Sequence, residues 1–312
     1  HGQLVNAAVG VCVLFSIKII MSFISPDIIS IKNLNQSFED IDDLIRVRDF
    51  VVSRQFVIFD FSKCGFLGPT AVAVLGAIFF EMRARGLKFY INWASMNKKV
   101  LANLCQNGFA KSHNYQHSPW EGNSVPYRQD VGNDYNDILS HLTEKWLNRD
   151  WINFSDKLRF AIAGRVWEMY ANAFEHSGSE SGVFSCGQHF HTKKDLVLSV
   201  VDFGFGIPCK IRNFLMQEGV CDLSDADCLK WAFESGNTTE VKAGIPRGLG
   251  LDLLREFVYL NNGALEIFSG HAYAVVDGNG LFFRNRERSF RGTLVQLKII
   301  CDDRIYKFKS EL

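Results

Sequence analysis

The sequence predicts an α/β protein built as two domains, and three observations carry this prediction. In the first half, two buried-strand patterns alternate with two helical patterns, an order typical of a small layered α/β domain. In the second half, an amphipathic helical pattern over 154–176 precedes an almost continuous apolar strand at 196–201. The polar stretch 113–137 carries glycines and prolines, and we expect it to be a linker between the two.

Composition narrows the class of protein. Apolar residues make up 47% of the 312-residue chain, so a packed core is available. Lysine plus arginine equals aspartate plus glutamate, at 34 each, which disfavours nucleic acid or an anionic membrane as the main partner. The eight cysteines show no paired zinc spacing, so we expect reduced thiols in a cytoplasmic protein.

We expect residues 1–24 to form an N-terminal extension or a strand. The segment from Leu4 to Ile24 is apolar and long enough to raise the question of a membrane span. It contains Lys18, however, and the Val- and Ile-rich alternation over 14–23 favours a strand. No basic start precedes the apolar run, so a signal peptide is not predicted.

The first half alternates strands and helices. Buried-strand patterns are predicted at 56–61 and 87–92. A helix is expected from Pro69, a residue favoured in the first turn, to Arg85, where Gly86 ends it. A second helix is predicted over 98–106.

This pattern over 25–112 resembles the STAS domain of anti-sigma factor antagonists, in which a strand leads into a phosphoacceptor loop. In the equivalent loop here, Gly68 replaces the acidic residue and Pro69 replaces the phosphorylated serine. Only Thr70 retains a hydroxyl. The resemblance implies a protein-interaction module, but proline has no acceptor oxygen, so we do not expect the family's phosphorylation switch.

The helix predicted over 154–176 has Ser155 as its expected N-cap and an apolar stripe at three- and four-residue steps. Glu168 and Asn172 lie on a different face, one turn apart. A carboxylate and a carboxamide so placed can bind a hydrated Mg²⁺, which prefers oxygen ligands. An isolated pair of this kind is more often a polar surface stripe, so the assignment depends on the motifs that follow.

Three glycine-bearing motifs follow. The strand at 196–201 runs into Asp202-Phe-Gly-Phe-Gly206, where a carboxylate can accept a hydrogen bond from an exocyclic amine. Arg247-Gly-Leu-Gly250 opens a predicted helix at 251–260, and backbone N–H groups at a helix N-terminus are suited to anions. Arg291-Gly-Thr293 precedes an alternating strand at 294–300. Neither a P-loop nor a Rossmann fingerprint is present.

Taken in this order, the motifs resemble the N, G1 and G2 boxes of the GHKL ATPases. The resemblance implies that residues 138–312 form a Bergerat α/β sandwich, a mixed sheet covered by helices, that binds ATP and Mg²⁺. It implies that Asn172 is the metal ligand and that Glu168 is the catalytic residue, acting on a water or an acceptor hydroxyl. It further implies that Asp202 reads the adenine amino group, and that the remaining nucleotide contacts come from Gly204, Gly206, Gly248, Leu249, Gly250 and Thr293, whose hydroxyl helps fix Asp202. The segment 209–246 would be a lid over the phosphates.

The resemblance leaves the activity open. We expect an ATP-binding regulatory protein in which the nucleotide state controls a protein partner. The alternatives are a serine/threonine kinase of the anti-sigma type that acts on a separate STAS-type protein, and an inactive ATP-binding scaffold. A homodimer is also open, whereas nucleic acid and membrane are not expected as partners. No histidine lies in a phosphoacceptor motif, which disfavours a histidine kinase.

Overall fold

The computed structural model describes residues 25–147, 150–176, 181–220, 222–234, 237 and 251–311. Helices and strands occur throughout these ranges, so the predicted α/β class is confirmed. The strand expected over 14–23 and the glycine motif at 247–250 lie outside the described residues. Within the described ranges, no helix combines the length and the apolar character that crossing a bilayer requires.

The first half is a small parallel sheet with helices. Its elements in chain order are β1 (Asp27–Ser30), α1 (Phe38–Val51), β2 (Phe56–Asp60), α2 (Pro69–Ala84), β3 (Lys88–Asn92), α3 (Lys98–Gln106) and α4 (Phe109–Ser112). The strands pair in parallel in the order β1-β2-β3. The strands and helices predicted between residues 56 and 106 are therefore confirmed. Ser37, which the sequence analysis did not single out, caps α1 in a capping box with Asp40.

The second half is dominated by a five-stranded sheet. Its elements are β4 (Ser124–Asp130), α5 (Tyr135–Ser140) with a π-helical continuation (His141–Trp146), β5 (Asn153–Phe154), α6 (Asp156–His176), β6 (Val183–Phe190), β7 (Asp195–Asp202), α7 (Ile207–Gln217), α8 (Asp225–Phe233), α9 (Leu251–Asn261), β8 (Ala264–Asp277), β9 (Gly280–Ile300) and β10 (Ile305–Tyr306). The sheet order is β4-β6-β7-β9-β8, and a short parallel pair joins β5 to β10.

Two expectations about this sheet are wrong. All four strand pairings are antiparallel, so the sheet is not mixed. The stretch 113–137 is not a linker throughout, because β4 lies within it and pairs with β6 along the sheet edge. The sheet of the second half therefore begins at Ser124 rather than after residue 137.

The two faces of the five-stranded sheet pack against different layers. Along β7, Leu196, Leu198 and Val200 lie in an apolar cluster with residues of α6 and α9. Val201 on the other face lies in a cluster with residues of α1, α2 and β2. Because side chains alternate along a strand, a strand packed on both faces must be apolar at nearly every position. This accounts for the almost continuous apolar run of β7, which only Ser199 interrupts.

Helix α2 connects the two halves of the molecule. Every residue from Pro69 to Phe79 is buried, which is typical of a helix covered on all sides. Its apolar cluster includes Phe59 of the parallel sheet and Phe184 of the five-stranded sheet. The halves therefore share one apolar core that has α2 at its centre.

Substitution of two helical glycines tests this packing. A Cβ at Gly76 of α2 would overlap the hydroxyl of Tyr127 and approach two of its ring carbons to 2.8 Å, whereas a Cβ at Gly164 of α6 meets no heavy atom within 4 Å. We expect Gly164→Ala to stabilise the protein by up to about 1 kcal/mol, the difference in helix propensity. Gly76→Ala should destabilise it, because overpacking a core costs about 1–3 kcal/mol.

Urea unfolding of both variants checks this prediction. The ring of Tyr127 packs edge-on against Phe109 with centroids 5.1 Å apart, which limits its movement. Equal stabilisation by the two substitutions would contradict the tight packing of α2 against β4.

Candidate functional site

The ends of β7 and β9 form the candidate site. Asp202 ends β7 and pairs with Thr293 of β9. By the alternation of β7, its side chain lies on the same face as Leu198 and Val200, the face that α6 covers. The Asp202 side chain is buried, and its Oδ1 accepts a hydrogen bond of 2.8 Å from the backbone N–H of Gly204. Asp202 and Gly204 are thus joined directly by a hydrogen bond.

The environment of Asp202 is unusual for a carboxylate. Burial raises the pKa of Asp202 to about 7, although hydrogen bonds from the backbone of Gly204 and of Thr293 act in the opposite direction. The two backbone donors therefore compensate only part of the cost of removing the charge from water. A ligand that brings another N–H donor would stabilise the ionised carboxylate further.

A serine outside the predicted set supports the turn after Asp202. Ser269 Oγ accepts a hydrogen bond of 2.8 Å from the Ile207 N–H and donates one of 2.8 Å to the carbonyl of Gly292. Gly206 has a φ of +80°, and a Cβ there would lie 2.7 Å from Ser269 Oγ. Glycine is therefore required at position 206 by both conformation and space.

Thr293 contributes in a different way from that expected. Its hydroxyl lies 3.0 Å from Ser269 Oγ, while its backbone supplies the contact to Asp202. The main chain of Thr293 pairs with that of Asp202, and the described contacts of the Thr293 hydroxyl do not include the Asp202 carboxylate. The hydroxyl instead joins Thr293 to the turn-supporting Ser269.

Helix α6 carries the other two predicted residues. Ser155 Oγ accepts a hydrogen bond of 3.2 Å from the Leu158 N–H, which confirms the predicted cap. Glu168 and Asn172 are partly exposed and lie one turn apart. Glu168 Oε1 accepts a hydrogen bond of 2.6 Å from Arg165 Nη1, three residues earlier on the same helix.

The structure places these residues in two groups. Asp202, Gly204, Gly206 and Thr293 converge at the strand ends. Glu168 and Asn172 lie on the helix that packs over the same face of the sheet. The other predicted nucleotide contacts, Gly248, Leu249 and Gly250, lie outside the described residues.

Much of the predicted lid is not a glycine-bearing loop. Of the segment 209–246, residues 209–217 belong to α7 and residues 225–233 form α8. Asp225 anchors α8, because its carboxylate accepts hydrogen bonds from Arg212 and from the backbone N–H of His271, the latter at 2.6 Å. These two helices are therefore not glycine-bearing loop, the rest of the segment is described only in part, and closure of the segment over phosphates stays a prediction.

A separate surface cavity of about 330 Å³ lies between α5 with its π-helical continuation and the first turns of α6. None of the predicted site residues lines it. Its walls are formed by Asn136, Leu139, Ser140, Thr143, Glu144, Arg159 and Phe160. The convergence of polar groups at Asp202, rather than cavity volume, defines the candidate site.

Comparison with known proteins adds no family assignment, since neither a protein-family model nor a curated protein matches the chain.

The raised pKa of Asp202 predicts a pH dependence of stability in the nucleotide-free protein. A carboxyl group whose folded-state pKa lies near 7, against an ordinary value of 3.8 for aspartate, favours folding most when it is protonated. This contribution is fully present below pH 3.8 and is lost as the pH rises through 7. We expect Asp202→Asn, which cannot ionise, to gain stability relative to the wild type between pH 5.5 and 8.

Urea unfolding at pH 5.5, 6.5 and 8 measures this difference. Asp252→Asn makes the same chemical change at an exposed position of α9 and serves as the control. Curves for Asp202→Asn and the wild type that stay parallel across this range would show that the Asp202 carboxyl does not titrate there.

Proposed function

We propose that this chain is a Mg-ATP-binding regulatory protein of the GHKL type, in which a STAS-like N-terminal domain is joined to a C-terminal nucleotide-binding domain. The observation that carries the proposal is the buried carboxylate of Asp202 at the end of a central strand, next to a glycine turn. A buried carboxylate that accepts a backbone hydrogen bond beside a glycine turn suits the amino edge of a planar base.

The adenine amino group fits the properties of Asp202. An exocyclic amine would donate a hydrogen bond to the carboxylate and add to the donation from the Gly204 N–H. A donor of this kind favours the ionised form and would lower the pKa of Asp202 on binding. Gly204 and Gly206 present no side chains that would block a base from the backbone.

The oxygen atoms that α6 offers suit a magnesium ion whose other ligands are phosphate oxygens and waters. In the described residues, no group of three or more His, Cys, Asp or Glu side chains could form a metal site of its own. Mg²⁺ in nucleotide sites is commonly bound through one or two protein oxygens together with phosphates and waters. Asn172 would supply such an oxygen, and the bound ion would neutralise phosphate charge.

The kinase alternative requires a separate protein substrate. The one hydroxyl left in the STAS-like loop belongs to Thr70, which is fully buried. Its Oγ1 lies 2.7 Å from Ser199 Oγ and 2.5 Å from Gln296 Oε1, two residues of the five-stranded sheet. In this arrangement no phosphate donor can reach Thr70, so Glu168 would have to activate a hydroxyl of another protein.

A protein-binding surface whose conformation depends on bound nucleotide would lie beside the Asp202 site. Phe205, in the turn after Asp202, is 70% exposed although it is a large apolar side chain. Its backbone belongs to the segment that would contact the base. We propose that a protein partner, or a second copy of the chain, contacts this turn and responds to its conformation. A cytoplasmic location is part of the same proposal.

Adenine recognition is tested by Asp202→Asn. The amide retains the shape of the carboxylate but loses its charge and presents a donor on one side. We expect binding of ATP with Mg²⁺ to weaken roughly 10- to 100-fold, the contribution of one hydrogen bond to a charged group. Isothermal titration calorimetry measures the affinity, and GTP provides the comparison ligand. Wild-type ATP affinity in this variant would remove Asp202 from base recognition.

The two residues of α6 should have separable roles. Asn172→Ala should lose the enhancement of nucleotide binding by Mg²⁺, because it removes a metal ligand. Glu168→Ala should retain nucleotide binding but lose turnover roughly 10²–10⁴-fold, the usual effect of removing a general base. Binding with and without Mg²⁺ and single-turnover phosphate release measure these effects.

Two results of this experiment would change the assignment. Phosphate release by Glu168→Ala at the wild-type rate would remove Glu168 from catalysis. Absence of turnover in the wild type, together with tight ATP binding, would favour the scaffold.

A further inference from the structure

A carboxylate in the first half of the chain contacts arginines from both halves. Glu81 of α2 accepts two hydrogen bonds from Arg48 of α1, at 2.7 and 2.8 Å, and one of 2.6 Å from Arg85. It also accepts a hydrogen bond of 3.3 Å from Arg291 of β9. The Glu81 side chain is only 11% exposed, so solvent screens these interactions less than it screens surface ion pairs.

Arg291 extends this cluster to the candidate site. While its Nη1 contacts Glu81, its Nε donates a hydrogen bond of 3.2 Å to the carbonyl oxygen of Phe203, the residue after Asp202. The guanidinium of Arg48 lies 5.4 Å from the centre of the Phe203 ring. Both the main chain and the side chain of Phe203 are therefore contacted by this arginine cluster.

One peptide unit links these contacts to Asp202. The carbonyl of Phe203 and the N–H of Gly204 belong to the same planar group and cannot rotate independently. Arg291 binds the carbonyl end, and Asp202 Oδ1 accepts from the N–H end at 2.8 Å. The orientation that Arg291 imposes on this peptide is the orientation that aims the Gly204 N–H at the carboxylate.

We propose that Arg291 is a positioning residue that sets the ligand affinity of the Asp202 site by coupling the Phe203–Gly204 peptide to Glu81 of α2. The inference rests on the proposed function for the identity of the ligand, but not for the positioning of the peptide. Because coupling between two sites is reciprocal, a change in the contacts of Glu81 that alters nucleotide affinity is itself favoured or opposed by bound nucleotide.

Arg291→Ala tests the coupling, with Arg85→Ala as the matched control. Arg291 is about half exposed and Glu81 keeps Arg48 and Arg85, so we expect the variant to fold. Arg85→Ala removes another partly exposed partner of the same carboxylate, one whose described contacts do not include Phe203. In nucleotide-free protein, we expect the Gly204 amide to exchange with solvent roughly threefold to tenfold faster in Arg291→Ala, the effect of one lost hydrogen bond.

Affinity for ATP with Mg²⁺ should fall by a similar factor in Arg291→Ala and stay unchanged in Arg85→Ala. Arg291→Lys should give an intermediate ATP affinity, because a single ammonium group replaces a guanidinium that donates hydrogen bonds to two acceptors. Equal Gly204 exchange in the Ala variants at positions 291 and 85 would overturn the proposal. The exchange measurement needs no nucleotide, so its failure is distinct from a failure of ATP binding.

A double-mutant cycle tests the part played by Glu81. If Arg291 acts through Glu81, then Glu81→Gln and Arg291→Ala should have effects on Gly204 exchange that are less than additive. Additive effects would show that Arg291 positions the peptide without α2 and would overturn the coupling. Circular dichroism confirms that each variant is folded before its exchange is compared.

Discussion

Burial of α2 between two sheets is the constraint on which the rest of this structure depends. A helix with apolar residues on every side is stable only when other layers cover it, and here the parallel sheet and the five-stranded sheet do so. This arrangement requires β7 to be apolar on both faces, which the run from Leu196 to Val201 fulfils. The strand carries charged residues only at its two ends, Asp195 and Asp202, and Asp202 lies at the end that leads into the glycine turn.

The shared core also contains a chain of paired polar groups. Thr70 contacts Ser199 and Gln296, and Gln296 Nε2 donates a hydrogen bond of 2.7 Å to Glu266. The other oxygen of Glu266 accepts from the hydroxyl of Tyr273 at 2.6 Å, and burial raises the pKa of Glu266. Only the contacts of Thr70 with Ser199 and Gln296 cross from α2 to the five-stranded sheet, and both are lost if α2 shifts along the sheet, so they favour one alignment of the two halves.

Local patterns accounted for much of the fold. Three elements carried their own signal within a single stretch of sequence. These signals are the proline at the start of α2, the apolar stripe of α6 with its Ser155 cap, and the Val-rich run of β7. The position of Asp202 at a strand end also followed from local sequence, because a carboxylate beside glycines after an apolar run is visible in one motif.

Features fixed by distant partners could not be read in this way. Strand β4 contains Pro126 and precedes Gly132, so its composition indicated a loop, and its identity as a strand depends on pairing with β6. Ser269 looks like an ordinary strand residue, and its importance comes from Ile207, Gly292 and Thr293. The only local sign was the glycine after it, which marks the register shift in β8. The antiparallel order of the sheet likewise depends on contacts between distant segments.

The common core has a consequence for how the molecule can be divided. A fragment that starts near residue 113 would expose Phe184, Val201 and Leu294 to water and leave Ser199 and Gln296 without Thr70. A fragment that ends there would expose one side of α2. Each piece would expose apolar residues that the intact chain buries, so separately expressed halves would associate or aggregate. The contribution of each half therefore has to be studied by substitution within the intact chain.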